Sequence, residues 1–518
     1  MSTIRIVFDN PPEFYTNLDF ISGRVLLTLH RPETIGNVIV KLEGESRTAL
    51  TVPPYHDREE YYRHRVTSGA GVGEIITESH KILYRLFQVY PDDGVSLPFQ
   101  PGTHEFKFNF KIPLNNICHD PQAMSALLGV GGIGGGFRTM DGTKQLMLQH
   151  VKATLPPSLT GFPQEAEIRY YIKVTIQRPG FFKENWRYQC GFKFLPVEPP
   201  RPAKTTQEAF ARRPFTFHAR PPLQSKRSSF FGGRSSSPSP ANDPTLAPPS
   251  IEISARLPYP SILTCNEPIP LRLLARKLAP TTAPQQQVYV TAVEIALVGY
   301  TSVRVQNLEH KEKSVWMIVP AHQLTPPIAL FNSPTDPVDT EFEIPKSIWA
   351  DRRLPNTVAP SFRACNLARR YEMDITVTLS WGVPQTTSVP FLSAKHEHAP
   401  QTITMPLKLS NIDVYSGIKP PQELLNSLGT NGPNHRPPRL PTRPSTQQQR
   451  PQQQQQQQQR PHDPLYPPQL GPEGVAHDDA PPSYDEAMAD RLAGPAARPA
   501  YSGVTAENAP STMPAEKS

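Results

Sequence analysis

Apolar residues recur at every second position in this chain, and that period governs what it can build. Phe106, Phe108, Phe110 and Ile112 alternate with Lys107, Asn109 and Lys111. Tyr170, Ile172, Val174 and Ile176 alternate with Tyr171, Lys173, Thr175 and Gln177, and Val38, Val40 and Leu42 lead into Glu43-Gly44. Successive side chains of a strand point to opposite faces, so each segment buries one face and wets the other, as antiparallel sandwich strands do. Helical periodicity is scarce. Turn signals separate the segments: Asn10-Pro11-Pro12, Ser22-Gly23, Pro101-Gly102 and Arg178-Pro179-Gly180. A first β-sandwich over residues 1–197 is predicted. Residues 118–150, with a glycine-rich tract at 129–136, read as a loop inserted into it.

The pattern returns after residue 250. Val293, Ile295 and Leu297 alternate with Glu294 and Ala296, and Tyr371, Met373, Ile375, Val377 and Leu379 with Glu372, Asp374, Thr376 and Thr378. Ile403, Met405, Leu407 and Leu409 make a further strand, with Pro406 suggesting an edge position. A second sandwich over 250–416 follows. The expected fold class is all-β, with two tandem immunoglobulin-like β-sandwiches, a disordered linker and a disordered C-terminal tail.

The linker, 198–249, is rich in proline, serine and arginine. Residues 201–246 hold eight basic and two acidic side chains, so +6 of the chain's formal +7 lies there. The rest is close to neutral, which argues against a broad nucleic-acid surface and confines any attraction for anions to the linker. Arg212, Arg213, Lys226, Arg227 and Arg234 are the candidate contacts to anionic membrane lipid. Ser228, Ser229, Ser236, Ser237 and Ser239 stand beside basic residues or before prolines, as basic-directed and proline-directed kinases favour. Each phosphate adds about −1.5 to −2 charge, so three would cancel most of the +6.

Beyond residue 417 the composition turns polar and low in complexity, with a glutamine run at 452–459. With few aliphatic residues to bury, such a tail does not offset its ordering entropy. Near its end stands Pro481-Pro482-Ser483-Tyr484, flanked by Asp478-Asp479 and Asp485-Glu486. Paired prolines pre-set a polyproline II turn that fits an aromatic-lined groove, and Tyr484 fills an adjacent pocket. That is the recognition mode of WW domains, with Pro481, Pro482 and Tyr484 as the contacting residues.

Six strings resemble the α-arrestins, the arrestin-related trafficking adaptors. Ile21-Ser22-Gly23-Arg24-Val25 and Val40-Lys41-Leu42-Glu43-Gly44 resemble the opening strand pair, and Pro101 to Phe108 (PGTHEFKF) the "G-x-H-x-F-x-F" strand. Leu155-Pro156-Pro157-Ser158-Leu159 and Arg169-Tyr170-Tyr171-Ile172-Lys173-Val174 are similar to the proline-serine turn and the strand after it. The most specific match is Pro360-Ser361-Phe362-Arg363-Ala364-Cys365-Asn366-Leu367-Ala368-Arg369-Arg370-Tyr371. The resemblance covers about 1–195 and 250–416 and implies an arrestin fold. It also implies a cytoplasmic adaptor recruited to plasma membrane or endosomes. There it would join an integral-membrane transporter or receptor to a WW-domain HECT-type ubiquitin ligase, for ubiquitylation and endocytosis. The alternative is an arrestin-fold signalling or sorting scaffold without a ligase. The 118–150 insertion departs from the family pattern.

No catalytic, cofactor or metal site is expected. Gly129-Val130-Gly131-Gly132-Ile133-Gly134 matches a dinucleotide fingerprint in letters, but no strand precedes it and no helix follows. His396-Glu397-His398 lacks a second ligand pair nearby. Sequence shows neither a Gly-x-Ser-x-Gly elbow nor a cysteine–histidine arrangement diagnostic of a nucleophile. Cys118, Cys190, Cys265 and Cys365 are far apart without metal-ligand spacing, which fits a reducing cytosol better than a disulfide framework. The N-terminus lacks an apolar signal core, and no apolar run is long enough to span a bilayer. Arg369-Arg370 is expected as a solvated strand end.

Overall fold

The computed structural model describes residues 2–52, 73–90, 98–120, 148–162, 165–180, 183–203, 205–220, 247–281, 286–333, 335–382, 399–429, 491–495 and 497–499. The first half runs β1 (Thr3–Phe8), β2 (Phe20–Leu29), β3 (Glu33–Thr34), β4 (Val38–Thr51), β5 (Ile75–Tyr90), β6 (Pro98–Phe99), β7 (Gly102–Lys111), β8 (Leu159–Phe162), β9 (Ala166–Ile176) and β10 (Trp186–Phe192). One sheet has the order β1-β2-β7 and the other β10-β9-β4-β5, with β8 paired to β9. The alternating side chains meet between them: Ile21, Val25 and Leu27 from one sheet pack with Val40, Leu42, Ile172 and Val174 from the other in one core. Gly44 lies opposite Tyr170 across the β4–β9 ladder, where a Cβ would stand 2.7 Å from the Tyr170 ring. A side chain there would displace the ring, so the Glu43-Gly44 step is a packing requirement.

The second half holds β11 (Glu208–Thr216), β12 (Ser250–Pro258), β13 (Ile262–Thr264), β14 (Arg272–Lys277), β15 (Val288–Val305), β16 (Leu308–Ala329), β17 (Glu341–Glu343), β18 (Phe362–Arg363), β19 (Leu367–Trp381) and β20 (Gln401–Tyr415). Its sheets run β11-β12-β14-β17 and β13-β20-β19-β15-β16, with β18 on β19. Ile253, Leu273, Ile295, Leu297, Met373 and Ile375 fill the space between them. Pro406 sits on β20 opposite Thr376, and β13 pairs with β20 only at Asp413–Tyr415. That leaves the Pro406 stretch on the open side of the sheet, where a missing N–H costs no ladder bond.

Three expectations change. The linker over 198–249 is not uniformly without structure: β11 pairs with β12 from Glu208↔Pro258 to Thr216↔Ser250. Its arginines and Pro214 concealed the strand in a compositional reading, yet they suit an edge strand that buries little of itself. Phe217, just beyond it, is buried with its ring centroid 6.0 Å from that of Trp381. Within the tail expected from 417 onward, α1 (Gln422–Gly429) is a short helix. Arg369 is fully buried while Arg370 is exposed, because they occupy opposite faces of β19. The 121–147 part of the insertion lies outside the described residues, as does His396-Glu397-His398. No described helix is long and apolar enough to cross a membrane.

Candidate functional site: the seam between the sandwiches

The two sandwiches share buried surface. Val303, Ala359, Ala364, Cys365 and Leu367 of the second half belong to the core cluster of the first. Around this apolar contact runs a chain of polar groups, each satisfied across the seam, as buried polar groups must be. Ser46 Oγ donates to Asn366 Oδ1 at 2.6 Å. Asn366 Nδ2 donates in turn to the Ser46 carbonyl at 3.2 Å and to Thr48 Oγ1 at 3.0 Å. Thr48 Oγ1 donates to the Arg304 carbonyl at 2.8 Å, and the Arg304 N–H donates to the Asn366 carbonyl at 2.9 Å. Asn366 and Thr48 thus bridge β4 to β15 and to the loop before β19.

A charged group stands beside it. Glu78 on β5 accepts from Arg304 Nη2 at 3.0 Å and from the Gln306 N–H at 2.5 Å, and lies 2.6 Å from His80 Nε2. Burial alone would push the Glu78 carboxyl up. His80, the Gln306 amide and Arg304 outweigh it and hold the group below the usual carboxylate range. Arg304 also donates to the Cys365 carbonyl at 2.6 Å. One guanidinium therefore ties a carboxylate of the first sandwich to a loop of the second.

Arg369 completes the seam. It donates from Nε to Tyr371 Oη at 3.2 Å and from Nη1 to Thr301 Oγ1, and its guanidinium lies 5.0 Å from the Trp316 ring centroid and 5.8 Å from that of Phe162. Tyr371 Oη donates to the Ala359 carbonyl. Gly299 makes room, since a Cβ there would stand 2.7 Å from Arg369 Nη2. Cys365, Asn366, Arg369 and Tyr371 all fall in the Pro360 to Tyr371 string. Its specificity was legible in sequence, whereas its role in joining the halves was not, because the partners Ser46, Thr48 and Glu78 are hundreds of residues away.

Of the candidate site residues, Arg212 and Arg213 are exposed on β11; the Arg212 guanidinium lies 4.0 Å from the Phe210 ring centroid, and Arg213 Nη1 donates to the Pro406 carbonyl at 3.2 Å. Arg201 pairs with Glu198 at 2.8 Å and Arg220 donates to the Trp381 carbonyl, so part of the linker charge is used internally. Lys226, Arg227, Arg234, Ser228, Ser229, Ser236, Ser237, Ser239, Pro481, Pro482 and Tyr484 lie outside the described residues. The structure does show chain beyond Tyr484 against the first sandwich: Arg498 Nη2 meets Asp19 Oδ2 at 2.8 Å and Nη1 donates to the Phe14 carbonyl. No sequence signal marked that contact.

Residues 4–119 match the family model described as "Arrestin (or S-antigen), N-terminal domain". The chain is also similar to "Arrestin-related trafficking adapter 10" of Lachancea thermotolerans, 28% identical over 128 residues. That match covers 23% of this chain and 29% of the relative, so the chain spans less than a third of the curated protein it matches. Together with the two packed β-sandwiches, these matches support an arrestin-type fold for this chain.

Proposed function

We propose that this protein is an adaptor that binds an integral-membrane transporter or receptor and brings to it a WW-domain HECT-type ubiquitin ligase. The cargo is then ubiquitylated and endocytosed. The adaptor itself works from the cytoplasm, at plasma membrane or endosomes. One observation carries the reading: a Pro481-Pro482-Ser483-Tyr484 ligand stands in a chain whose residues 4–119 match an arrestin N-terminal domain. A WW ligand alone says only that something is recruited, and an arrestin-type fold alone names no effector. Together they divide the labour, with the folded half meeting cargo and the tail meeting the ligase. The trafficking-adapter name of the Lachancea thermotolerans relative supports the same reading.

Proximity labelling in cells with the intact protein and with Tyr484→Ala tests it. The expected outcome is a ligase with WW domains that disappears from the labelled set in the variant, while membrane cargo remains. A labelled set without any WW-domain ligase would overturn the reading and leave a sorting scaffold in its place.

A further inference from the structure

Two of the cysteines that stand far apart in sequence meet at the seam. Cys118, just past β7, and Cys365, in the loop before β19, are both buried with their Sγ atoms 3.5 Å apart. Two histidines adjoin Cys365. His150 Nδ1 is 3.7 Å from Cys365 Sγ. His80, fully buried on β5, packs edge to face on His150 with ring centroids 5.2 Å apart. One donor atom each from His80, His150 and Cys365 lies within 4.8 Å of the other two.

The fold holds these groups in place from every side. The Ile117 N–H donates to the Ile82 carbonyl at 3.0 Å, setting Cys118 beside the β5 segment that bears His80. Asn116 clamps the two ends of the insertion, donating from Nδ2 to the Val151 carbonyl at 2.7 Å and accepting at Oδ1 from the Ala153 N–H at 3.1 Å. That clamp sets the segment that carries His150 beside the one that carries Cys118. Arg304 fixes the Cys365 carbonyl from the other side.

We propose that Cys118, Cys365, His80 and His150 form a tetrahedral site for a soft divalent cation of the zinc type, linking the two sandwiches. The donor chemistry selects the metal class, since two sulfurs and two imidazoles suit zinc and not magnesium or calcium. Zinc–sulfur bonds of about 2.3 Å and zinc–nitrogen bonds of about 2.0–2.1 Å give tetrahedral edges of about 3.3–3.8 Å. The Cys118–Cys365 separation of 3.5 Å and the Cys365–His150 separation of 3.7 Å already fall in that range, and the His80 donor lies within 4.8 Å of Cys365 and His150. His80 supplies a second observation. Its Nε2 is held by Glu78 at 2.6 Å, while its Nδ1 is buried and makes no hydrogen bond. A carboxylate on one imidazole nitrogen orients the other toward a metal and raises its basicity. Binding balances as one cation taken up and the two thiol protons released. The metal would tie strand β5, both ends of the 118–150 insertion and the Cys365 loop into one unit.

The full chain, purified without chelator, tests this by metal analysis and by exchange with cobalt(II), whose spectrum reports thiolate ligands and tetrahedral geometry. About one zinc per chain is expected. Cobalt should give visible ligand-field bands with a thiolate charge-transfer band that falls by about half in Cys118→Ser. His150 is only half-buried, so His150→Ala should fold and bind at least about tenfold more weakly, in line with losses seen for even outer-shell changes. Chelation should lower the melting temperature of the wild type and leave that of Cys365→Ser unchanged, since a cation bound only by the folded state stabilises it. A metal-free chain that gives no cobalt–thiolate band would overturn the proposal. So would a Cys118–Cys365 disulfide in the unreduced protein, or a cobalt spectrum unchanged by Cys118→Ser and His150→Ala.

Discussion

Asn366 is the single side chain on which the seam depends most, because it is both donor and acceptor across it. Asn366→Ala removes three hydrogen bonds and leaves Ser46 and Thr48 without those partners. Each stranded buried group costs about 1–3 kcal/mol, so the urea midpoint of the full chain should fall by the equivalent of at least about 2 kcal/mol. A midpoint within error of the wild type would mean the seam is not a stabilising contact. Glu45 tests electrostatics at the same scale. Burial would raise its carboxyl, but Lys81, Ser79 and Arg169 outweigh that and hold it at about 2, below the ordinary 4.5. The folded state therefore binds its proton less readily than the unfolded chain. Its contribution is complete above about pH 4.5 and is lost as pH falls toward about 2. Urea midpoints measured down that range should drop more steeply for wild type than for Glu45→Gln; parallel curves would show that Glu45 carries no such linkage.

The elements show where sequence reading succeeds and where it stops. Strands such as β7, β9 and β19 were legible because Phe106, Ile172 and Met373 recur with period two and meet a core. β11 was hidden because an edge strand buries little, and its composition of arginine, proline and alanine matches that of a spacer. The buried state of Arg369 was hidden for a different reason: its ring partners Trp316 and Phe162 come from separate strands. The His80, His150, Cys118 and Cys365 cluster has no local spacing at all, since only tertiary folding brings it together. Phe217→Ala decides whether the β11 region is part of the second sandwich. Loss of a buried phenylalanine costs about 3–5 kcal/mol, so a large drop in stability is expected, whereas a loose spacer would show none. The rest of the linker belongs to the membrane expectation. Aspartates at Ser228, Ser229, Ser236 and Ser237 should weaken co-sedimentation with phosphatidylserine vesicles, at on the order of 1 kcal/mol per basic residue neutralised. Binding unchanged by those substitutions and by added salt would remove lipid from the partner set.

At the scale of the molecule, the adaptor reading requires the cargo-binding half and the ligase ligand to share one chain. Composition predicts a low-complexity connection through the glutamine run at 452–459, and tethered encounters depend only weakly on tether length. Tyr484 is also only fourteen residues before Arg498, which holds Asp19 on the first sandwich. Deleting 447–459 should accordingly leave cargo ubiquitylation nearly intact, as followed by cargo immunoblot. A large loss with WW binding preserved would give that segment a role of its own.

The most direct test of the central claim is a calorimetric titration of isolated ligase WW domains into the full-length protein. Truncating a buried aromatic anchor costs at least about 2 kcal/mol, so Tyr484→Ala should weaken binding some thirtyfold or more, and Ser483→Ala should change it little. Equal affinity of the wild type and Tyr484→Ala would contradict the claim that this chain recruits a ligase through its tail.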